Sequence, residues 1–291
     1  MSTQPSAAEG TVALSAVELD RRRYRRQRAW RSTAIAAVST LVFAGVLLVA
    51  VTHAPGWEQV KSTYFSGSQF SDSFPRVLHG LWTNLRILAV AEAIILPVGL
   101  TVAALRTVKG AVFFPVRGIL TVYVDVFRGI PLIVLLYLIG FGIPALGESW
   151  LPSSGITLGT VCLVLSYGAY HAEVFRAGIL SVHPSQRAAA RSLGLNHAQT
   201  MRLVVLPQAV RAVIPPLLND FVSLQKDVGL VSILGVIDAV RAAQIDNYST
   251  YNYTPYVVAA LLFIVLAIPS ARFADYMLAR QIRRQQAGAV V

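Results

Sequence analysis

One cysteine in 291 residues leaves no intrachain disulfide to form, and that residue, Cys162, lies inside an apolar run. A GxxxxGK[ST] phosphate loop is absent, which excludes nucleotide binding by that route. HExxH, CxxC and GxSxG are absent too, which removes the commonest metalloprotease, redox and serine-hydrolase readings. The five histidines, His53, His79, His171, His183 and His197, are scattered without metal-ligand spacing. The chain is expected to hold no metal and no cofactor, and to catalyse nothing alone. Charge is also scarce. Only 13% of residues are charged and 55% are hydrophobic, against about 25% charged in an ordinary soluble domain. A soluble chain of this length needs more polar surface than that, so the outer surface is expected to face lipid. Acids are fewer than bases, 14 against 25. The basic excess does not indicate nucleic acid, because it falls between hydrophobic runs rather than on a stripe with interleaved aromatics. The cluster RRRYRRQRAWR at 21–31 directly precedes an apolar run, where headgroups and topology account for it.

A membrane span needs about 20 largely apolar residues, because the hydrocarbon core is about 30 Å thick. Six stretches qualify: 33–52, 85–105, 119–141, 156–170, 210–236 and 255–273. The first is longer than the roughly 7–15 residues of a signal-peptide core, so an uncleaved span is expected. With the N-terminus inside, segments 1–31, 106–117, 174–211 and 272–291 hold 19 of the Lys and Arg residues. The opposite-side segments 53–80, 142–155 and 237–253 hold 3. The positive-inside rule therefore places both termini in the cytoplasm. Backbone polar groups at membrane depth need internal partners, so the spans are helices, kinked or broken at Pro97, Pro131, Pro207, Pro215, Pro216 and Pro269. No internal repeat is visible, unlike many secondary transporters.

The run 170–236 is the most informative. Pro184 suits the first position of a helix, and the residues to Leu193 are good helix formers. Gly194 fits the left-handed position that ends a helix. Asn196 is a natural N-cap for a second helix over 197–205, which Pro207 is expected to close. The outcome is a helical knuckle bearing Arg187, Arg191 and Arg202, with Ala188, Ala189 and Ala190 offering close approach.

In this place SQRAAARSLGLNHAQTMRLVVLPQAVRAVIP resembles the Glu-Ala-Ala…Gly loop of ABC-importer inner-membrane permeases of the polar amino-acid uptake group. Gly194 stands at the invariant glycine, and Gln186, Ala189, Ala190, Leu193, Pro207 and Gln208 also match; Ala188 replaces the usual Glu. VDVFRGIPLIVLLYLIGFGIP, LQKDVGLVSILGV and GLWTNLRILAVA resemble further segments of that family, with coverage of roughly 75–285. The resemblance implies an all-α polytopic bundle: a five-span type I importer permease domain at 80–277, with its coupling loop at 174–209. Around it would lie a basic cytoplasmic tail at 1–31, an added N-terminal span at 32–53, an external loop at 54–79 and a cytoplasmic tail at 278–291. It implies a bacterial inner-membrane location and three kinds of protein partner: a cytoplasmic ABC ATPase dimer, a second identical or homologous permease, and an extracytoplasmic substrate-binding protein. ATP and magnesium would be used by the ATPase. Coupling is then expected from Pro184, Gln186, Arg187, Ala188, Ala189, Ala190, Arg191, Gly194 and Leu195.

Ionisable residues at membrane depth are expensive and face a cavity or a partner. Arg128, Glu173, Asp220, Lys226 and Asp227 qualify, with Glu92 and Asp125. Arg128 can present a bidentate site to a substrate carboxylate, with Glu173 or Asp220 meeting an amino group. Alternatively Arg128 pairs with Asp125 three residues earlier on its own helix. The Gly129-Ile130-Pro131 break and a second break at Pro215-Pro216, followed by Asn219 and Asp220, are expected to face each other across the pathway. Tyr170 and Lys226 complete the candidate pathway set. The rival readings are a secondary transporter or channel working without an ATPase, a membrane enzyme, and an export permease.

Overall fold

The computed structural model describes residues 16–108 and 110–288. The remaining terminal residues, which include part of both expected tails, lie outside the described residues. Most of those described are helical, with no strand among them. They divide into two units, 1–61 and 62–291.

In the first unit, α1 (Ala16–Thr52) is one continuous helix of 37 residues, about 55 Å long at 1.5 Å per residue. Its part Tyr24–Thr52 is long and apolar enough to cross a membrane, and none of its apolar window is buried. Thr40 donates to the Ala36 carbonyl, so its hydroxyl is satisfied without water. The short α2 (Trp57–Tyr64) follows in sequence.

The second unit carries the core. α3 (Gly67–Thr107) opens on the Ser66 N-cap, whose side chain accepts from Gln69 N–H, and it contains Pro75 and Pro97. The segment expected to be an external loop, 54–79, is thus largely helical. α4 (Phe114–Gly129) ends at the expected Gly-Ile-Pro break. The chain resumes as α5 (Leu132–Leu135), a π-helical turn (Leu136–Phe141) and α6 (Gly142–Ala145), bent by 107° from α4. α7 (Gly155–Ser181) is the central helix, packed by α3, α4 and α10. α8 (Pro184–Ser192) and α9 (His197–Thr200) form the knuckle. α10 (Leu206–Asp227) continues into a 3-10 segment (Val228–Leu234) that Gly235 ends at φ +78°. α11 (Ala239–Thr250) and α12 (Thr254–Gly288) complete the unit.

Four described helices are long and apolar enough to span, or five with the bent pair taken as one. The remaining expected span, 156–170, is α7. It is long enough, but Ser166, Tyr167, Tyr170, His171 and Glu173 dilute its apolar run. That composition follows from its place, since a helix surrounded by helices need not be apolar all round.

Lipid is as apolar as leucine, so close packing rather than the hydrophobic effect holds such a bundle together. Small residues set the contacts. A Cβ on Gly99 would lie 2.7 Å from His171 Cβ, and one on Gly178 would lie 3.2 Å from the Ala209 carbonyl oxygen while overlapping Val213. Ile95, Leu163, Leu224 and Val228 fill the centre between α3, α7 and α10.

Two proline expectations fail. Pro207 does not close the second knuckle helix. A π-helical turn (Met201–Val205) joins α9 to α10, and Leu206 N–H donates to the Met201 carbonyl five residues back. That extra residue places Pro207 in the first turn of α10, where a missing N–H costs nothing. Pro215 and Pro216 lie inside continuous α10 rather than at a break. Neighbouring helices let a membrane helix carry prolines that would stop a soluble one.

Candidate functional site

The knuckle is built by local rules. His183 Nδ1 accepts from Ser185 N–H at 3.2 Å, capping α8, and Pro184 occupies the first turn. Gly194 has φ +84°. Its N–H donates to Arg191 O at 3.0 Å, and Leu195 N–H donates to Ala190 O at 3.2 Å, which is the full left-handed helix stop. Asn196 Oδ1 then accepts from Gln199 N–H, and Gln199 Oε1 accepts from Asn196 N–H, a reciprocal cap. Val182, Val205 and Ala209 bury the base of the knuckle against Ile179 and Met201. Arg187 Nη2 donates to the Ile179 carbonyl at 2.6 Å, tying α8 to the last turns of α7.

The alanine face divides. Ala190 is buried, while Gln186, Ala188, Ala189 and Arg191 stay exposed and Leu195 is half-buried. Leu193 is 83% exposed at the tip. On sequence alone Leu193 counts as a helix former and as a match to the family's loop, but not among the coupling residues.

The second site is a cavity of about 450 Å³ beside the α4–α5 break. Of the expected pathway residues it brings together Arg128, Gly129, Pro131, Tyr170 and Asp220. The Arg128 guanidinium carbon lies 5.5 Å from the centre of the Tyr170 ring, within cation–π range. Tyr170 Oη donates to the Arg128 carbonyl at 3.3 Å, which helps satisfy the broken helix end. Ser166, Tyr167, Ser223 and Asp227 also line it, and Tyr167 Oη donates to Asp227 Oδ2 at 2.8 Å. Behind it, fully buried His171 places Nε2 3.7 Å from Asp220 Oδ2. Asp227 is among the ionisable residues expected at membrane depth, and Ser166, Tyr167 and Ser223 are readable from spacing. Residues 220, 223 and 227 follow the i, i+3, i+7 spacing of one helix face, and 166, 167 and 170 share another.

Arg128 makes no ion pair with Asp125 among the described residues, and both are exposed on this chain. Three expected pathway residues lie elsewhere. Glu173 accepts from Arg106 Nη1 at 3.0 Å and pairs with Arg176, so it is neutralised between α3 and α7. Asn219 lines a separate groove with Pro215 and Pro216. Because α10 runs unbroken, Asn219 points about 100° away from Asp220, and the expected second break does not face the first. Lys226 lines a different cavity with Arg241.

No group of three or more His, Cys, Asp or Glu suited to a metal occurs among the described residues. A helical membrane bundle with a charged cleft at a broken helix and a rigid helical knuckle between two of its helices has the form of a permease. Residues 95–284 match the family model described as the binding-protein-dependent transport system inner membrane component. The chain is 35% identical over 207 residues to the probable glutamine ABC transporter permease protein GlnM of Bacillus subtilis (strain 168), covering 71% of this chain and 93% of that one. It is 34% identical over 221 residues to the glutamate/aspartate import permease protein GltK of Escherichia coli O6:H1, covering 73% and 96%. A solved structure described as an amino acid ABC transporter with histidines superposes with a TM-score of 0.65 at 34% identity, covering 71% and 94%. The chain belongs to this family. It is a multi-pass inner-membrane permease subunit of the ABC importer type, and the ATPase of such a transporter is a separate subunit.

Proposed function

We propose that this chain forms half of the translocation path of an ATP-driven importer for polar amino acids. The observation that carries the reading is the cavity in which Arg128 meets Asp220 and Asp227. An α-amino acid offers a carboxylate and an ammonium group. A guanidinium binds the first in a planar fork, and a carboxylate with a tyrosine beside it receives the second. The names of the relatives, which concern glutamine and glutamate/aspartate, support the same solute class. Arg128 and Asp125 are exposed on a lone chain, which supports completion of the path by a second permease, identical or homologous.

The exposed surface of α8, with Leu193 at its tip, docks a cytoplasmic ABC ATPase pair. Both termini then lie in the cytoplasm, and an extracytoplasmic binding protein delivers the solute at the far end. ATP binding closes the ATPases and moves the knuckle; hydrolysis resets it. A nearly complete switch from one state to the other requires about 5.5 kcal/mol of differential binding. Reconstitution of the complex in vesicles tests this. Uptake is expected only with ATP and the binding protein present. Uptake driven by an ion gradient with no ATPase would identify a secondary transporter and overturn the reading.

A further inference from the structure

A cavity of about 620 Å³, larger than the pathway cleft, lies between α10, the 3-10 segment, α11 and α12. Lys226 and Arg241 both line it, and no acid does. Lys226 forms no hydrogen bond or ion pair among the described residues, and Arg241 spends its guanidinium on Gln244 Oε1 at 2.6 Å. Two cations thus share one cavity with no carboxylate of this chain to neutralise them. Ionisable side chains at membrane depth are kept by a counter-charge or a polar cavity, so the missing anion comes from outside the chain.

The remaining walls describe that anion. Leu230, Ile233, Val240 and Phe263 make an apolar surface. Tyr256 and Phe263 both line it from α12, and seven residues of helix extend that wall by about 10 Å. A group that fits is therefore charged at one end and hydrocarbon along its length. The position agrees. Lys226 stands twenty residues along α10 from Leu206, about 30 Å from the knuckle end, so the cavity belongs to the opposite end of the bundle. A small soluble anion would satisfy the cations and leave the apolar wall bare.

We propose that this cavity binds an anionic phospholipid, its phosphate held by Lys226 and Arg241 and one acyl chain laid against Phe263 and Val240. Neither residue belongs to the pathway cleft or to the knuckle, so lipid binding is separable from the transport function proposed above.

The test is native mass spectrometry of the whole transporter, extracted from vesicles of phosphatidylcholine with or without phosphatidylglycerol. The wild type is expected to retain phosphatidylglycerol. Lys226→Gln with Arg241→Gln is expected to weaken retention about 30-fold, from two basic contacts of roughly fivefold each. Each single variant should lose roughly fivefold, which keeps the test decisive where the double variant fails to assemble. Lys226→Arg with Arg241→Lys, which keeps both charges, should restore retention. Excess inorganic phosphate should not displace the lipid. Equal retention by wild type and the glutamine variants overturns the proposal. So does displacement by inorganic phosphate, which would mark a site for a free anion. Uptake lost equally in both vesicle types, with no lipid held by the wild type, would assign the counter-charge to an acid of the second permease. Failure of ATP-driven uptake in the wild type would count against the transport reading and leave the lipid result standing.

Discussion

Gly194 isolates the contribution of backbone shape to coupling. A Cβ built at Gly194 meets nothing within 4 Å, and its φ is +84°. Any effect of substitution is therefore conformational rather than steric. The left-handed region costs an ordinary L-residue about 1–2 kcal/mol. Asparagine tolerates it well, whereas a β-branched residue is a genuine outlier there. If the chain leaves that region, the Gly194-to-Arg191 and Leu195-to-Ala190 hydrogen bonds are lost with it. A penalty of 1–2 kcal/mol changes an equilibrium by a factor of about 5–30. The expected order of ATPase affinity is Gly, Asn, Ala, then Val, with Gly194→Ala about 5–30-fold weaker and Gly194→Val weaker still. Titration of the purified ATPase onto the permease in lipid nanodiscs measures this, with thermal unfolding of the bundle as control. Unfolding should shift by no more than that penalty, because Gly194 contacts no core residue. Equal affinity of the Gly and Val forms would refute the idea that this turn holds the docking surface. Equal weakening by Asn and Val would refute the backbone argument and assign the loss to the added side chain.

Arg128→Ala should lower solute uptake by about 10–100-fold, the worth of a hydrogen bond to a charged group, and leave ATPase binding unchanged; unchanged uptake would remove Arg128 from the path. Glu173→Gln strands Arg106 and Arg176, so it should lower the stability of the bundle by about 2 kcal/mol, less than a fully buried pair would, without altering solute preference; a changed preference would return Glu173 to the pathway. Gly178→Ala should destabilise the contact with α10 by about 1–3 kcal/mol through overpacking, read as a lower unfolding temperature; an unchanged temperature would mean that α7 and α10 part there at no cost. Burial pushes the Asp238 carboxyl, at the N-cap of α11, up from 3.8 to about 6. The fold therefore favours the protonated form, so its contribution is complete below pH 3.8 and is lost as pH rises through 6. That loss is worth up to about 3 kcal/mol, and Asp238→Asn should flatten the stability profile between these values; an unflattened profile would assign the pH dependence to another group.

What was legible in the sequence depended on how local the cause was. The knuckle was readable because each device in it acts within five residues: Pro184 at the start, Gly194 at the stop, Asn196 at the next cap. The break at Gly129-Ile130-Pro131 was readable for the same reason, since the residue before a proline is pushed out of the helical region and no extra residue compensates there. Pro207 and Pro215-Pro216 misled because their outcome is set at a distance. A π-helical turn two to six residues earlier absorbs Pro207, and packing against α7 and α12 carries α10 through the other two. The pathway was half legible. Arg128, Tyr170 and Asp220 do share a cavity, but the sequence could not place Glu173 between Arg106 and Arg176, which come from two different helices. Lys226 and Asp227 are adjacent in sequence yet line different cavities, because neighbours on a helix point about 100° apart.

The two candidate sites share two helices, and this bears on how one could act on the other. α10 carries Leu206 at the knuckle and Asp220 at the cleft, fourteen residues and about 21 Å apart. α7 carries Tyr170 at the cleft and Ile179, whose carbonyl receives Arg187 of the knuckle, nine residues and about 14 Å away. Between the two ends, Gly178 lets α7 lie directly on the Ala209 carbonyl and the Val213 side chain of α10. Packed helices slide or rotate as bodies rather than deform continuously. On the proposed mechanism, then, a displacement of α8 reaches Arg187, passes into α7 and α10 together, and moves Tyr170 and Asp220 as one wall. Arg128 stands on the other wall, in the last turn of α4 just before the break, with its carbonyl on the Tyr170 hydroxyl. The cleft thus has one side on α7 and α10, which carry the knuckle, and one side on α4, which meets α7 through Tyr170. On that mechanism, a motion of the knuckle that parts Tyr170 from Arg128 changes the spacing between the guanidinium and the carboxylates, which is the change that releasing a bound amino acid requires.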